Sequence, residues 1–157
     1  VIRGNAPEIR ILATGTGTTR GVDASESDSM TERFEALRDE ASNLARKTGA
    51  VIAITGATDI VSDGKKAYAI KNGHPLMSRI TGSGCMLSAI TGAFAAAQTG
   101  NLADAVAAAL ATMGLAGEKA ARESARRGTG IFRVSLIDAL SRLDARAVFS
   151  GMRVDAL

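Results

Sequence analysis

Thr81-Gly82-Ser83-Gly84-Cys85 are the residues of this chain best suited to chemistry. They stand between a strand predicted over Leu76 to Ile80 and a helix predicted from Gly84 to about Gln98, which is apolar nearly all round and is therefore expected to be buried. Amides at a helix start lack intrahelical acceptors, and the helix dipole adds positive potential there, so such a run gathers around an anion. Glycines at 82 and 84 remove β-carbons that would hold a phosphate away. Fixed N–H donors of this kind stabilise charge as it moves among phosphate oxygens in phosphoryl transfer. A tight turn without a ligand is the other reading of the same residues. The run is not a P-loop, since no Lys-Ser or Lys-Thr follows, and not a dinucleotide fingerprint, since Leu87 occupies the third glycine position. Cys85 opens the helix, where its sulfur could face the anion and orient or deprotonate an attacking hydroxyl, or simply pack as a small hydrophobe.

A second polar cluster lies at the start of the chain. Arg3 follows a strand end and could reach phosphates, while Asn5 and Glu8, three apart on one helical face, could hold hydrated Mg²⁺. Each also has an ordinary use: Arg3 as a solvated charge, Asn5 as a helix cap, Glu8 as a first-turn carboxylate. Asp23 is a further loop carboxylate, and His74, the only histidine, sits in turn-like Asn72-Gly73-His74-Pro75.

The elements that must position these residues read as an α/β chain. Val1-Ile2 ends a strand, and Asn5 caps a short helix through Pro7, Glu8, Ile9 and Leu12. Residues 14–21 form a loop. Ser29 and Glu32 have capping-box spacing ahead of a helix from about Met30 to Lys47, whose stripe is Met30, Phe34, Leu37, Ala41 and Leu44, and Gly49 stops it. Val51 to Ile54 is a buried strand ending in Thr55-Gly56. Asp59 to Asp63 and Lys66 to Ile70 flank Gly64-Lys65 as a hairpin. An alanine-rich helix runs from Asn101 to about Ala125, where Gly114 and Gly117 weaken it unless they allow a close approach. Ile131, Phe132 and Val134 read as an extended edge, Leu136 to Leu143 as a short helix, and Phe149 to Leu157 as a frayed tail.

Composition narrows the classes. At 157 residues there is length for one domain, with 46% apolar residues but four Phe, one Tyr and no Trp, so the core is built from Ala, Ile, Leu, Val and Met. A net charge of +3 from 19 basic and 16 acidic residues forms no basic stripe, which argues against nucleic acid and against a membrane surface. The single cysteine excludes an intrachain disulfide and a thiolate metal cluster, so a reducing, cytoplasmic location is expected. No apolar run is long enough to span a bilayer.

Taken together, Val1-Ile2-Arg3-Gly4-Asn5-Ala6-Pro7-Glu8, Gly21-Val22-Asp23, Ile54-Thr55-Gly56 and Thr81-Gly82-Ser83-Gly84-Cys85 resemble the hydroxyethylthiazole kinases of the ribokinase-like superfamily. The cysteine is the telling residue, because most ribokinase-like enzymes carry aspartate there. The resemblance covers nearly the whole chain but only about the last three fifths of a typical member. It implies a three-layer α/β/α sandwich lacking its N-terminal strands and helices, with residues 1–157 as the C-terminal part of a single domain. It also implies transfer of the ATP γ-phosphoryl to the hydroxyl of 4-methyl-5-(2-hydroxyethyl)thiazole, in thiamine biosynthesis and salvage. By this resemblance Arg3 and Thr55 contact ATP, Asn5 and Glu8 belong to the Mg²⁺ site, and Gly82 lines the thiazole site. Gly82, Ser83, Gly84 and Cys85 form the anion hole, with Cys85 at the catalytic-base position. A homotrimer and a need for the missing N-terminal portion are further implications, so the segment alone is expected to be inactive. The alternatives are a related hydroxymethylpyrimidine or sugar kinase, against which Cys85 argues, and a non-catalytic nucleotide-binding subunit.

Overall fold

A computed structural model describes residues 1–15 and 30–157; Asp23 and the Ser29 half of the expected capping box lie outside them. The chain divides into two compact units, Val1–Ala69 with Ala156–Leu157, and Ile70–Asp155. The strands are β1 (Ile2–Asn5), β2 (Ile52–Thr55), β3 (Asp59–Ser62), β4 (Ala67–Ile70) and β5 (Val154–Ala156), hydrogen-bonded in that order.

In the first unit β1 and β2 run parallel, and β2 and β3 antiparallel with Ile54 opposite Ile60. Helix α1 (Ala6–Thr14) starts at the Asn5 cap and stops at Gly15, whose left-handed φ of 70° lets its N–H reach the Ile11 carbonyl. Helix α2 (Met30–Thr48) lays Phe34, Leu37, Ala41, Leu44 and Ala45 on a core shared with Ile9, Ile52, Ile54 and Ile60. Met30, expected on that stripe, stays 87% exposed at the first helical position. Fully burying one Ile or Leu of this set is worth roughly 1.5–3 kcal/mol, so the stripe rather than helix propensity holds α2. The hairpin turn forms as the sequence predicts: Asp63 Oδ1 accepts from the amides of Lys65 and Lys66, and Gly64 takes φ 87° against Arg46.

The second unit is built on α4 (Leu102–Glu123), capped by Asn101, whose side chain accepts from the amides of Ala103 and Asp104. It packs α3 (Ser83–Ala97), α5 (Gly128–Arg142) and α6 (Ala145–Gly151). Four expectations are corrected here. Leu76 to Ile80 is no strand, because Pro75 and the His74 cap turn Pro75–Arg79 into a 3-10 helix. Ile131 to Val134 belongs to α5, because Phe132, Leu136 and Ala139 recur at helical spacing and are buried. The tail is not frayed: Asp144 caps α6, Lys71 N–H donates to Arg153 O at 2.9 Å, and Leu157 N–H donates to Ala67 O at 2.9 Å. Helix α3 is not buried all round. Only Leu87 and Thr91 are, and its apolar residues outnumber what the α4 contact covers.

Gly114 and Gly117 do allow close approach. A β-carbon at Gly114 would lie 2.6 Å from the backbone carbonyl carbon and oxygen of Asn72, and one at Gly117 would collide with the Met77 thioether. Asn72 is thereby seated against Glu118, which accepts from Asn72 Nδ2 (3.2 Å), Gly73 N–H (2.9 Å) and Arg153 Nη2 (2.7 Å). Partial burial pushes the Glu118 carboxyl up, but these donors, Arg153 foremost, outweigh it and leave it below the usual carboxylate range. Gly114→Ala is expected to destabilise the fold by about 1–3 kcal/mol, because the obstacle is backbone that cannot rotate away. Urea denaturation of the two proteins measures this.

Candidate functional site

The first cluster is made by strand ends. Parallel pairing sets Arg3 opposite Ala53, Gly4 opposite Ile54 and Asn5 opposite Thr55, so both strands finish at one edge. Ligands in open α/β sheets bind beyond the carboxyl ends of such strands. Asn5 Oδ1 accepts from Glu8 N–H at 2.9 Å, and Glu8 Oε2 accepts from Asn5 N–H at 2.7 Å, a complete capping box. Gly4 makes room for it, since a β-carbon there would sit 2.9 Å from Glu8 Oε2 and 3.0 Å from Glu8 Cβ. The Thr55 hydroxyl donates to Gly4 O at 3.3 Å, which ties β2 to this corner. Arg3, Asn5, Glu8 and Thr55 are thus brought together.

Sequence reasoning placed Asn5 and Glu8 either as caps or as magnesium-associated residues. The capping role is realised, and both side chains remain exposed. The second Glu8 oxygen is not part of the box. Among the described residues no three carboxylate, imidazole or thiol groups converge. The donors at this corner are one carboxylate and one amide oxygen, the kind of set a hydrated Mg²⁺ that keeps several waters would take.

Asp59 is the residue that sequence reasoning missed, having placed it only as the first position of a hairpin strand. Its Oδ1 accepts from Gly56 N–H at 2.8 Å, closing the turn after Thr55. Burial pushes its carboxyl up to about 6, against the lowering effect of that Gly56 bond and of the nearby Arg3 charge. The available signal was a carboxylate three residues after Gly56 and immediately ahead of the apolar pair Ile60-Val61.

The second cluster lies in the other unit. Gly82 is the N-cap of α3 with φ 98° and ψ −7°, a left-handed conformation that favours glycine. A β-carbon there would meet nothing within 4 Å, so the glycine serves backbone shape and leaves open space. The ladder of α3 begins with Met86 N–H donating to Gly82 O at 2.9 Å, which leaves the amides of Ser83, Gly84 and Cys85 ahead of it. Among the described residues no side chain caps this start. Cys85, in the first turn, is exposed rather than packed as a core hydrophobe. His74 is occupied as a cap, its Nδ1 accepting from Leu76 N–H at 3.2 Å, and lies outside both clusters' bonds.

The raised Asp59 carboxyl has a consequence for stability. A carboxyl held higher in the folded than in the unfolded state keeps its proton longer when folded, so the contribution of Asp59 to stability is greatest below about pH 4 and declines as pH rises through about 6. A shift of this size corresponds to at most about 3 kcal/mol. Asp59→Asn is expected to remove this decline, so the stability difference between wild type and variant should change between pH 4 and 6 in denaturant titrations.

Residues 1–146 match the model of the hydroxyethylthiazole kinase family. The hydroxyethylthiazole kinase of Clostridium acetobutylicum is 43% identical over 158 residues, covering 99% of this chain and 58% of the relative. That of Methanocella arvoryzae is 44% identical over 154 residues, covering 98% of this chain and 54% of the relative. The solved structure of a hydroxyethylthiazole kinase protein from Pyrococcus horikoshii OT3 superposes with a TM-score of 0.79 at 34% identity, over 99% of this chain and 54% of that one. The chain therefore spans a little over half the length of the relatives it matches. The likeness bears out the α/β class and the ribokinase-like arrangement that the sequence led us to expect. Matched by the family model over most of its length and by these relatives over nearly all of it, the chain belongs to the hydroxyethylthiazole kinase family.

Proposed function

We propose that this chain carries the nucleotide and anion-hole residues of a kinase that phosphorylates the hydroxyl of 4-methyl-5-(2-hydroxyethyl)thiazole with ATP, within a single ribokinase-like domain. The observation that carries the reading is the start of α3: a left-handed Gly82 that brings no capping side chain to the amides of Ser83, Gly84 and Cys85, in a chain of this family. In the transfer the alcohol oxygen attacks the γ-phosphorus, the bond to the bridging oxygen breaks, ADP leaves, and the hydroxyl proton goes to a base or to solvent. Amides aimed at the migrating group stabilise its equatorial oxygens, which leaves little work for a strong base. Cys85 occupies the base position, and Gly82 lines the thiazole pocket. Arg3 and Thr55 meet the ATP phosphates from the strand ends. A bound Mg²⁺ would neutralise phosphate charge, and Asn5 and Glu8 are the residues that would hold it.

The chain's partners follow from its surface. Helix α3 is rich in apolar and small residues yet buries only Leu87 and Thr91, and the half-buried Ile90 and Phe94 on it line an apolar groove with Leu140, Val148 and Phe149. Together with relatives nearly twice as long, this favours a further N-terminal portion, or a neighbouring subunit of a homotrimer, over that face. No helix among the described residues is long and apolar enough to cross a membrane, and a cytoplasmic enzyme is the reading we adopt.

The isolated chain is expected to bind ATP without turning over the thiazole alcohol, and to gain turnover when supplied with the N-terminal portion of the Clostridium acetobutylicum relative. Turnover by the chain alone overturns the incompleteness. ATP binding that never yields transfer, even when complemented, selects a non-catalytic nucleotide-binding role instead. In the complemented enzyme Gly82→Ala is expected to lower kcat/KM more than Cys85→Ser. The first change strains a left-handed backbone at a cost of about 1–2 kcal/mol and crowds the phosphate, whereas the second leaves every amide in place. Equal or reversed effects in steady-state kinetics would count against the anion hole.

A further inference from the structure

The nucleotide side of the proposed kinase has a polar residue whose chemistry its local fold does not explain. Asp59 begins β3 at the edge where β1 and β2 end, and its 2.8 Å bond from Gly56 N–H closes the short connection between β2 and β3. Thr55, immediately before that turn, is tied to β1 through Gly4 O. Arg3 on β1 lies near enough for its charge to act on the same carboxyl. An Asn or Ser oxygen would close such a turn with no charge to desolvate, so a turn alone gives no reason for a carboxylate held up near 6 by burial. Burial and a specific charge partner at the mouth of a sheet are the pattern of a functional position. Arg3 stands across β2, on β1, and the peptide with which Asp59 shares a turn is Thr55-Gly56.

We propose that Asp59 is a positioning residue of the nucleotide site, holding the Thr55-Gly56 turn by its bond to the Gly56 amide and orienting the Arg3 guanidinium toward the phosphates of ATP. It touches no reacting atom itself. Its two effects separate chemically: the amide oxygen of Asn keeps the bond to Gly56 but loses the charge, and Ala loses both. This inference rests on the kinase reading given above.

Calorimetric titration of ATP into the 157-residue chain and into its Asp59→Asn and Asp59→Ala variants, with thermal melts of all three, tests it. The expected result is an ATP Kd raised about threefold by Asn and at least about tenfold by Ala, with the melting temperature of the Asn variant equal to or above wild type because a partly desolvated charge is gone while the Gly56 bond is kept. Equal affinity in the three proteins overturns the positioning role and leaves the kinase reading intact. Affinity that falls only in step with a lowered melting temperature overturns it too, by reducing Asp59 to a structural residue. A wild-type chain that takes up no ATP overturns the nucleotide reading and this inference with it.

Discussion

Helix starts carry amides that the helix itself cannot satisfy, and how each start in this chain disposes of them organises both its folding and its chemistry. At α1 the Asn5 and Glu8 side chains satisfy them reciprocally; at α4 Asn101 does so, and at α6 Asp144. Even the 3-10 helix uses the His74 ring. The starts of α3 and α5 have no such side-chain bond from their N-cap residues. At α3 a glycine stands at the cap and another two residues on, which costs only about a few tenths of a kcal/mol and keeps side chains away from the first amides.

The corner between β1 and α1 shows the same constraint from the opposite side. Its capping box is complete, yet it lies at the edge where the parallel strands end, and it closes only because position 4 has no side chain. The box fixes the Glu8 carboxylate in space while engaging one of its oxygens. Rigid placement of a carboxylate on an element end, rather than on a free loop, is what a weakly held hydrated cation needs. Asp59 extends the corner to a third strand, and its burial makes the edge less stable near neutral pH than a neutral residue would. Local instability retained at a strand edge is the usual mark of function.

The second unit is held by close approach more than by bulk. α4 is lined with alanine, and its glycines admit the Asn72 backbone and the Met77 side chain, so packing is tight with few large residues. Glu118 then gathers the Asn72-Gly73 turn and Arg153 into one charge-assisted network, which anchors the chain's last segment.

Much of this was legible in the residues themselves. Asn5 followed by Glu8, the glycine spacing at 82 and 84, the Phe34 to Leu44 stripe and the Gly64-Lys65 turn each encode local geometry that one stretch of sequence contains in full. At Leu76 to Ile80 the reading failed on a local cap, His74 ahead of Pro75; at two other places the deciding partner lay far along the chain. Ile131 to Val134 looked extended until helical spacing of Phe132, Leu136 and Ala139 was used to pack on α4, and the tail looked frayed until Lys71 and Ala67 supplied its backbone partners. Asp59 had only the short spacing from Gly56 as a local mark, because the rest of its environment is made by β1 and β2, brought alongside by tertiary pairing. Caps, turns and stripes are set by neighbours within a few residues and so belong to the sequence; burial, register and the raised acid at Asp59 come from segments some fifty residues apart, and only the folded chain decides them.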